Sequence, residues 1–165
     1  KPYKVRGLKI YPFMVKIYNS IKMPSQSQFD ETYLIMAETW AQLSKARREK
    51  VGCLIVKNGA IISDGYNGTP SGFNNNCEDE NPKSLDGELI TKPEVLHAES
   101  NAITKLAKST QSSDGATLYN TISPCIECSK LIVQSGIKRV VYKHWYKNND
   151  GIKLLKQANI KVNQK

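Results

Sequence analysis

Four side chains in this 165-residue chain have the types and spacing for metal-assisted chemistry. Cys125 and Cys128 stand three apart behind Pro124, and His97 and Glu99 stand two apart earlier in the chain. Two sulfurs and one imidazole make a three-ligand zinc set, the count found at catalytic sites, whereas structural zinc takes four ligands and closes its shell. Zinc with an open corner lowers the pKa of bound water to roughly 7. Glu99, next to the ligand His97 in sequence, can take the water's proton and hand it to a leaving group. Two other readings compete. A Cys-x-x-Cys redox pair is expected near the first strand of a thioredoxin-like unit, whereas Cys125 comes late, after a β-like segment. A purely structural zinc module has no use for an unligated carboxylate beside an open metal.

The flanking residues say how these groups are held. Cys125 to Val133 reads as an amphipathic helix ended by Gly136. Residues three apart share a helix face, so both sulfurs reach one ion. Pro124 suits a first turn, where its missing N–H costs nothing, and the positive end of the helix dipole favours thiolate. His97 opens a second helical run that ends near Thr110, with Ile103, Leu106 and Ala107 as its apolar side. Two helix N-termini can therefore converge on one metal.

Around them the chain reads as one α/β domain. Gln28 to Lys45 is helical by period, with Asp30 and Glu31 near its start and Phe29, Tyr33, Met36, Ala37, Trp40 and Leu43 expected in the core. Val51–Lys57 and Ala60–Tyr66 are strands joined by Asn58-Gly59, a strong hairpin signal. Ala116–Thr121, Ile137–Tyr142 and Ile160–Val162 are further strands, with a last helix over Asp150–Ala158. Helices alternating with strands after a hairpin give a three-layer αβα sandwich, a mixed sheet of about five strands with helices on both faces.

Three loops carry open readings. Ser44 to Lys50, with Lys45, Arg47 and Arg48, is either a solvated surface or a phosphate contact. Gly65-Tyr66-Asn67-Gly68 is either an ordinary turn or a close backbone approach to a ligand, with the Asn67 amide at a sugar hydroxyl. Residues 73–93 are polar and without period, so a lid or mobile insert is expected.

Four cysteines, two of them assigned to metal, make no disulfide framework, so a reduced, cytoplasmic setting is expected. No apolar run approaches the roughly 20 residues that span a bilayer. The net charge is +9, but residues 1–24 carry Lys1, Lys4, Arg6, Lys9, Lys16 and Lys22 and no acid, which leaves +3 on the rest. That balance fits a protein handling small phosphorylated molecules as well as one gripping a polynucleotide. Residues 1–24 are read as a basic extension or leader, with residues 11–18 a strand or a sticky arm, and residues 25–165 as the working domain.

The motif His-x-Glu followed by Pro-Cys-x-x-Cys matches the signature of zinc nucleobase deaminases. The chain resembles the deoxycytidylate (dCMP) deaminases, phage type, of the cytidine deaminase-like superfamily. The resemblance rests on Val51–Val56, Gly65–Pro70, His97–Ala102, Ser123–Cys128 and Ser135–Tyr142, in one consistent order. It implies that His97, Cys125 and Cys128 hold zinc, that Glu99 shuttles the proton, and that dCMP becomes dUMP and ammonia. It further implies that Asn67 contacts the sugar, that backbone at Ala98 and Ser123 reads the cytosine edge, and that Tyr146 lies near substrate. By the same resemblance the protein is a homohexamer, activated by dCTP with Mg2+ and inhibited by dTTP, with effector contacts at Lys45, Arg47, Arg48, Gly65, Tyr66, Asn67 and Gly68. Phage relatives can hold a second zinc through cysteines in the loop before the first strand and in the insert. Ala46 and a lone Cys77 stand there here, so one zinc per chain is expected. The alternative within the superfamily is a deaminase acting on tRNA or single-stranded DNA, which needs a basic, aromatic groove. His144-Trp145-Tyr146-Lys147 and the basic leader keep that alternative open, though no polynucleotide partner is expected.

Overall fold

The structure is a computed structural model that describes residues 3–5, 8–12 and 23–165. Residues 13–18 of the expected strand or arm lie outside the described residues. Before the main domain, β1 (Tyr3–Val5) pairs antiparallel with β2 (Leu8–Ile10). The domain then runs α1 (Gln26–Ala41), β3 (Gly52–Lys57), β4 (Ala60–Tyr66), β5 (Glu78–Glu80), β6 (Leu89–Thr91), α2 (Ala98–Leu106), β7 (Thr117–Ile122), α3 (Ile126–Gln134), β8 (Arg139–His144), α4 (Asp150–Gln157) and β9 (Lys161–Gln164).

Five strands form one sheet in the order β4-β3-β7-β8-β9. The β3–β4 hairpin turns on Asn58 and Gly59, both at positive φ (52° and 78°) as a tight primed turn requires. β3 is antiparallel to β7, while β7, β8 and β9 are mutually parallel through the helical crossovers α3 and α4. Strand alternation divides the core between the two faces. Cys53, Ile55, Leu118, Val140 and Tyr142 meet α2, α3 and α4 through Ala98, Ala102, Leu106, Ile132, Ile152 and Leu155. Leu54, Val56, Tyr119 and Val141 meet α1 through Leu34 and Ala37. The three-layer mixed sandwich expected from sequence is the fold observed.

One expectation needs correction. Within the insert, β5 and β6 pair as a short antiparallel ribbon, Glu78 opposite Thr91. More instructively, most of the large apolar residues expected in the core around α1 are not there. Phe29, Met36, Trp40 and Leu43 are 38–49% exposed, and the buried face is Asp30, Leu34, Ala37 and Ala41. The reason lies across the sheet at Gly52, where a Cβ would collide with the Ala37 carbonyl oxygen and crowd the Ala41 nitrogen. At that crossing the helix lies too close to β3 for large side chains, so Ala37 and Ala41 face the strand there. Ser25 and Gln28 close a capping box at its start. Trp40 Nε1 donates to Asp64 Oδ2 (2.7 Å) and Tyr33 Oη to the Gly59 carbonyl (3.0 Å), so these aromatics brace the flank of the helix on β4 and its hairpin turn.

Asp30, read in sequence as a helix-start acid, is buried and holds α1 to the sheet. Arg139 at the start of β8 grips it bidentately (2.6 and 2.8 Å), and Tyr119 Oη and Gln26 Nε2 donate to the same carboxylate (2.8 and 2.9 Å). Burial alone would push the Asp30 carboxyl up, but the hydrogen bonds from Arg139, Gln26 and Tyr119 outweigh it and hold the pKa at about 2, against an ordinary 3.8. A depressed carboxyl contributes stability above its ordinary pKa and loses it as pH falls through the folded value. The stability gap between wild type and Asp30→Asn should therefore narrow by about 2 kcal/mol between about pH 5 and about pH 2. Urea denaturation across that range reads it, and a gap independent of pH would refute it.

Candidate active site

The site lies where two helices begin. His97 is the N-cap of α2 and Cys125 the N-cap of α3, both with extended backbone (ψ 157° and 171°). The Cys128 backbone N–H donates to the Cys125 sulfur (3.5 Å), so the cap is itself a candidate ligand. Close packing brings the helices in. A Cβ on Gly65 in β4 would collide with the Ala98 carbonyl oxygen and the Ala102 nitrogen, and one on Gly151 in α4 with the Pro124 carbonyl oxygen beside Cys125. Gly68 exchanges two backbone hydrogen bonds with Leu96, the residue before His97 (3.1 and 2.9 Å). Asn101 Nδ2 donates to the Tyr66 carbonyl (2.9 Å). The Gly65–Gly68 stretch thus anchors the start of α2.

His97 Nδ1 stands 3.5 Å from Cys125 Sγ and 3.4 Å from Cys128 Sγ. Tetrahedral zinc with Zn–S of about 2.3 Å and Zn–N of about 2.0 Å sets nitrogen and sulfur about 3.5 Å apart. Both nitrogen–sulfur distances match that geometry. Among the described residues these three form the one cluster of three or more such side chains with donor atoms within 4.8 Å of one another. Hydrogen bonding from Cys128 brings the Cys125 thiol down to about 3, against the cost of burial and aided by His97, while the same bond and burial push Cys128 up. A dication bound between the two sulfurs would displace the thiol protons.

Glu99 is 4% exposed, in the first turn of α2. Burial pushes its carboxyl above the usual range, against its own backbone N–H and the nearby His97. That direction suits an acid/base working near neutral pH. Cys53 is fully buried and its thiol pushed up by burial, a packing residue rather than a nucleophile.

One cavity of about 220 Å³ gathers the predicted residues His97, Ala98, Glu99, Cys125, Asn67, Ser123, Tyr146 and Arg48. Ser123 Oγ accepts from the Tyr146 backbone N–H (2.8 Å), fixing the loop after β8 over the floor. Asn67 does more holding than the sequence suggests: its Oδ1 accepts from Val51 N–H and its Nδ2 donates to the Glu49 carbonyl (2.8 Å each). That leaves one amide N–H for a ligand. The two arginines separate. Arg48 lines the cavity and donates to Thr91 Oγ1 (2.9 Å), while Arg47 turns to Glu78, donating to its carbonyl (3.3 Å). Gly65 is turned to α2, and Lys45, Arg47, Tyr66 and Gly68 are absent from the lining.

The lining also holds residues to which the dCMP reading of the sequence gave no role, Glu78, Lys147 and Asn120 among them. Glu78 is buried and accepts the backbone N–H groups of Arg47 (3.1 Å) and Arg48 (3.3 Å), clamping that loop to the insert. Lys147 stands at the cavity beside Tyr146, its ammonium 5.9 Å from the ring centroid. Asn120 also lines the cavity, and no motif in the sequence marked it.

A His/Cys/Cys trio that could hold a metal ion and a buried carboxylate thus lie at two helix N-termini of a three-layer sandwich. The chain belongs to the cytidine and deoxycytidylate deaminase family, whose zinc-binding region model matches residues 27–144. It is 37% identical over 170 residues to the deoxycytidylate deaminase of Enterobacteria phage T2, covering 79% of this chain and 89% of that protein. The human deoxycytidylate deaminase is 37% identical over 120 residues, 70% of this chain and 64% of that protein. Among solved structures, cyanophage S-TIM5 dCMP deaminase in complex with dCMP and dUMP superposes with a TM-score of 0.76 at 45% identity, over 86% of this chain and all of that one.

Proposed function

We propose that this chain hydrolyses dCMP to dUMP and ammonia, with residues 25–165 as the catalytic unit. The observation that carries the reading is the convergence of His97 Nδ1 and two cysteine sulfurs, 3.4–3.5 Å apart, with buried Glu99 in the same cavity. The complexed cyanophage relative and the phage T2 and human relatives support dCMP as substrate.

A zinc ion held by His97, Cys125 and Cys128 would supply Lewis-acid charge and a water of pKa roughly 7. Glu99 would take a proton from the attacking water and deliver it to ring N3 as oxygen adds to C4, then carry the second water proton from the new C4 hydroxyl to the exocyclic nitrogen as the C4–N bond breaks. Water is consumed and ammonia leaves, so the atoms balance. The backbone at Ala98 and Ser123 reads the cytosine edge, and the spare N–H of Asn67 serves the sugar. Tyr146 closes over the substrate from the loop that Ser123 holds.

Arg48 and Lys147 at the rim are the cations that receive the 5′-phosphate, Arg48 because its planar guanidinium matches phosphate oxygens. Wild type should release ammonia from dCMP far faster than from deoxycytidine; equal rates on both would refute the monophosphate reading. Arg48→Ala should raise KM for dCMP by on the order of tenfold, the worth of one charge-assisted hydrogen bond, and leave deoxycytidine turnover unmoved. Steady-state kinetics on both substrates reads that split, and a loss shared equally by both would place Arg48 elsewhere.

The resemblance extends the proposal to a homohexamer activated by dCTP with Mg2+ and inhibited by dTTP. Turnover with and without each triphosphate tests that regulation. No helix among the described residues is long and apolar enough to cross a membrane.

A further inference from the structure

Asn120 is a polar group in this cavity whose chemistry the reaction scheme leaves unused. It is 1% exposed, and strand alternation puts it on the face of β7 covered by α2 and α3, with Leu118. Its Nδ2 donates to the Ile122 carbonyl at 2.7 Å. That bond orients the amide, since the flipped form would set two oxygens against each other. Its Oδ1 is buried and accepts from nothing. An unmade buried hydrogen bond costs about 1–3 kcal/mol, and native structures hold few. Yet Asn120 lines the same cavity as Glu99, Ser123 and Cys125. Its antiparallel partner in β3 is Cys53, which packs in one core cluster with Ala98 and Ala102 of α2, the helix that carries Glu99.

We propose that Asn120 Oδ1 accepts an N–H of the exocyclic amine of the bound aminopyrimidine, making Asn120 a further substrate-contacting residue that favours substrate over product. The inference rests on the dCMP reading. The pyrimidine must place C4 beside Glu99 and the metal-ligand trio, which brings its amine into the cavity that Asn120 lines with Glu99 and Cys125. The amine of dCMP is a donor and satisfies Oδ1. The C4 carbonyl of dUMP is an acceptor and meets it oxygen to oxygen. The residue thus holds the substrate and repels the product, and deamination removes the N–H that held the ring.

The test measures binding of dCMP and dUMP by calorimetry to zinc-loaded protein in a Glu99→Gln background, where turnover does not obscure the dCMP value. Asn120→Leu keeps the shape and removes the acceptor. Asn120→Asp, neutral when buried, keeps both the acceptor and a donor to Ile122. Asn120→Leu should shift the dUMP-to-dCMP affinity ratio toward dUMP by on the order of tenfold, as one lost hydrogen bond and one relieved repulsion imply, while Asn120→Asp retains the wild-type preference. Asn120→Ala, measured alongside, should shift the ratio the same way, and it decides the matter should the leucine variant fail to fold. A ratio unchanged within twofold in the acceptor-less variants, whatever their melting temperatures, overturns the proposal. Wild-type protein that releases no ammonia from dCMP would instead overturn the reading beneath it.

Discussion

Glu99→Gln is expected to lower kcat by on the order of three decades or more, the scale lost with a positioned acid/base group, while leaving fold and zinc content intact. Gln matches the shape of Glu, so the buried position keeps its packing. What disappears is the proton. The amide can neither take one from water nor return it to the amine, and the oxygen of a hydrogen bond does not substitute for a base. Burial raises the Glu99 carboxyl and so brings it toward the working range. A neighbouring residue has no comparable access: Glu49 also lines the cavity but is exposed, and Glu78 is committed to the Arg47 and Arg48 backbone. Single-turnover ammonia release, with elemental analysis and circular dichroism on the same preparation, separates the outcomes. Full activity in this variant would place the chemistry elsewhere, and loss of metal together with rate would make Glu99 a ligand rather than a shuttle.

Cys128→Ala is expected to empty the metal site and abolish activity. The sulfur is buried, 3.4 Å from His97 Nδ1, on the first turn of α3. With it gone, one imidazole and one thiolate remain, too few to retain zinc against dialysis. The expected readings are near-zero zinc by elemental analysis and ammonia release at background. Chelation of wild type should give the same loss of rate, reversed by added zinc. Metal binding is coupled to folding because the ligands come from two separated helices, so a lower melting temperature should accompany the loss. A variant holding stoichiometric zinc would show that the ion is bound by another set.

The motifs were legible because their geometry is local. A Cys-x-x-Cys on a helix places two sulfurs on one face wherever the helix goes, and an Asn-Gly pair makes its hairpin whatever it packs on. The periodicities of α2, α3 and the strands likewise reflect burial on a single face. The resemblance then supplied partners for residues that spacing alone left open, Tyr146 and Ser123 among them, and both line the cavity.

What could not be read depends on distance through space. Asp30 looked like a helix-start acid until Arg139, 109 residues later, came to neutralise it. Phe29, Met36 and Trp40 had the period of a core face, yet a glycine on β3 lets the helix so near that alanines fill the crossing. The insert looked formless because a three-residue strand has no period to detect, and it exists through pairing. Glu78 and Asn120 carry no motif at all; their meaning is the company they keep. Short-range spacing states which chemistry a chain can perform. Which groups are dry, which are paired and which are left waiting for a ligand follows from contacts between distant segments, and those exist once the layers have closed.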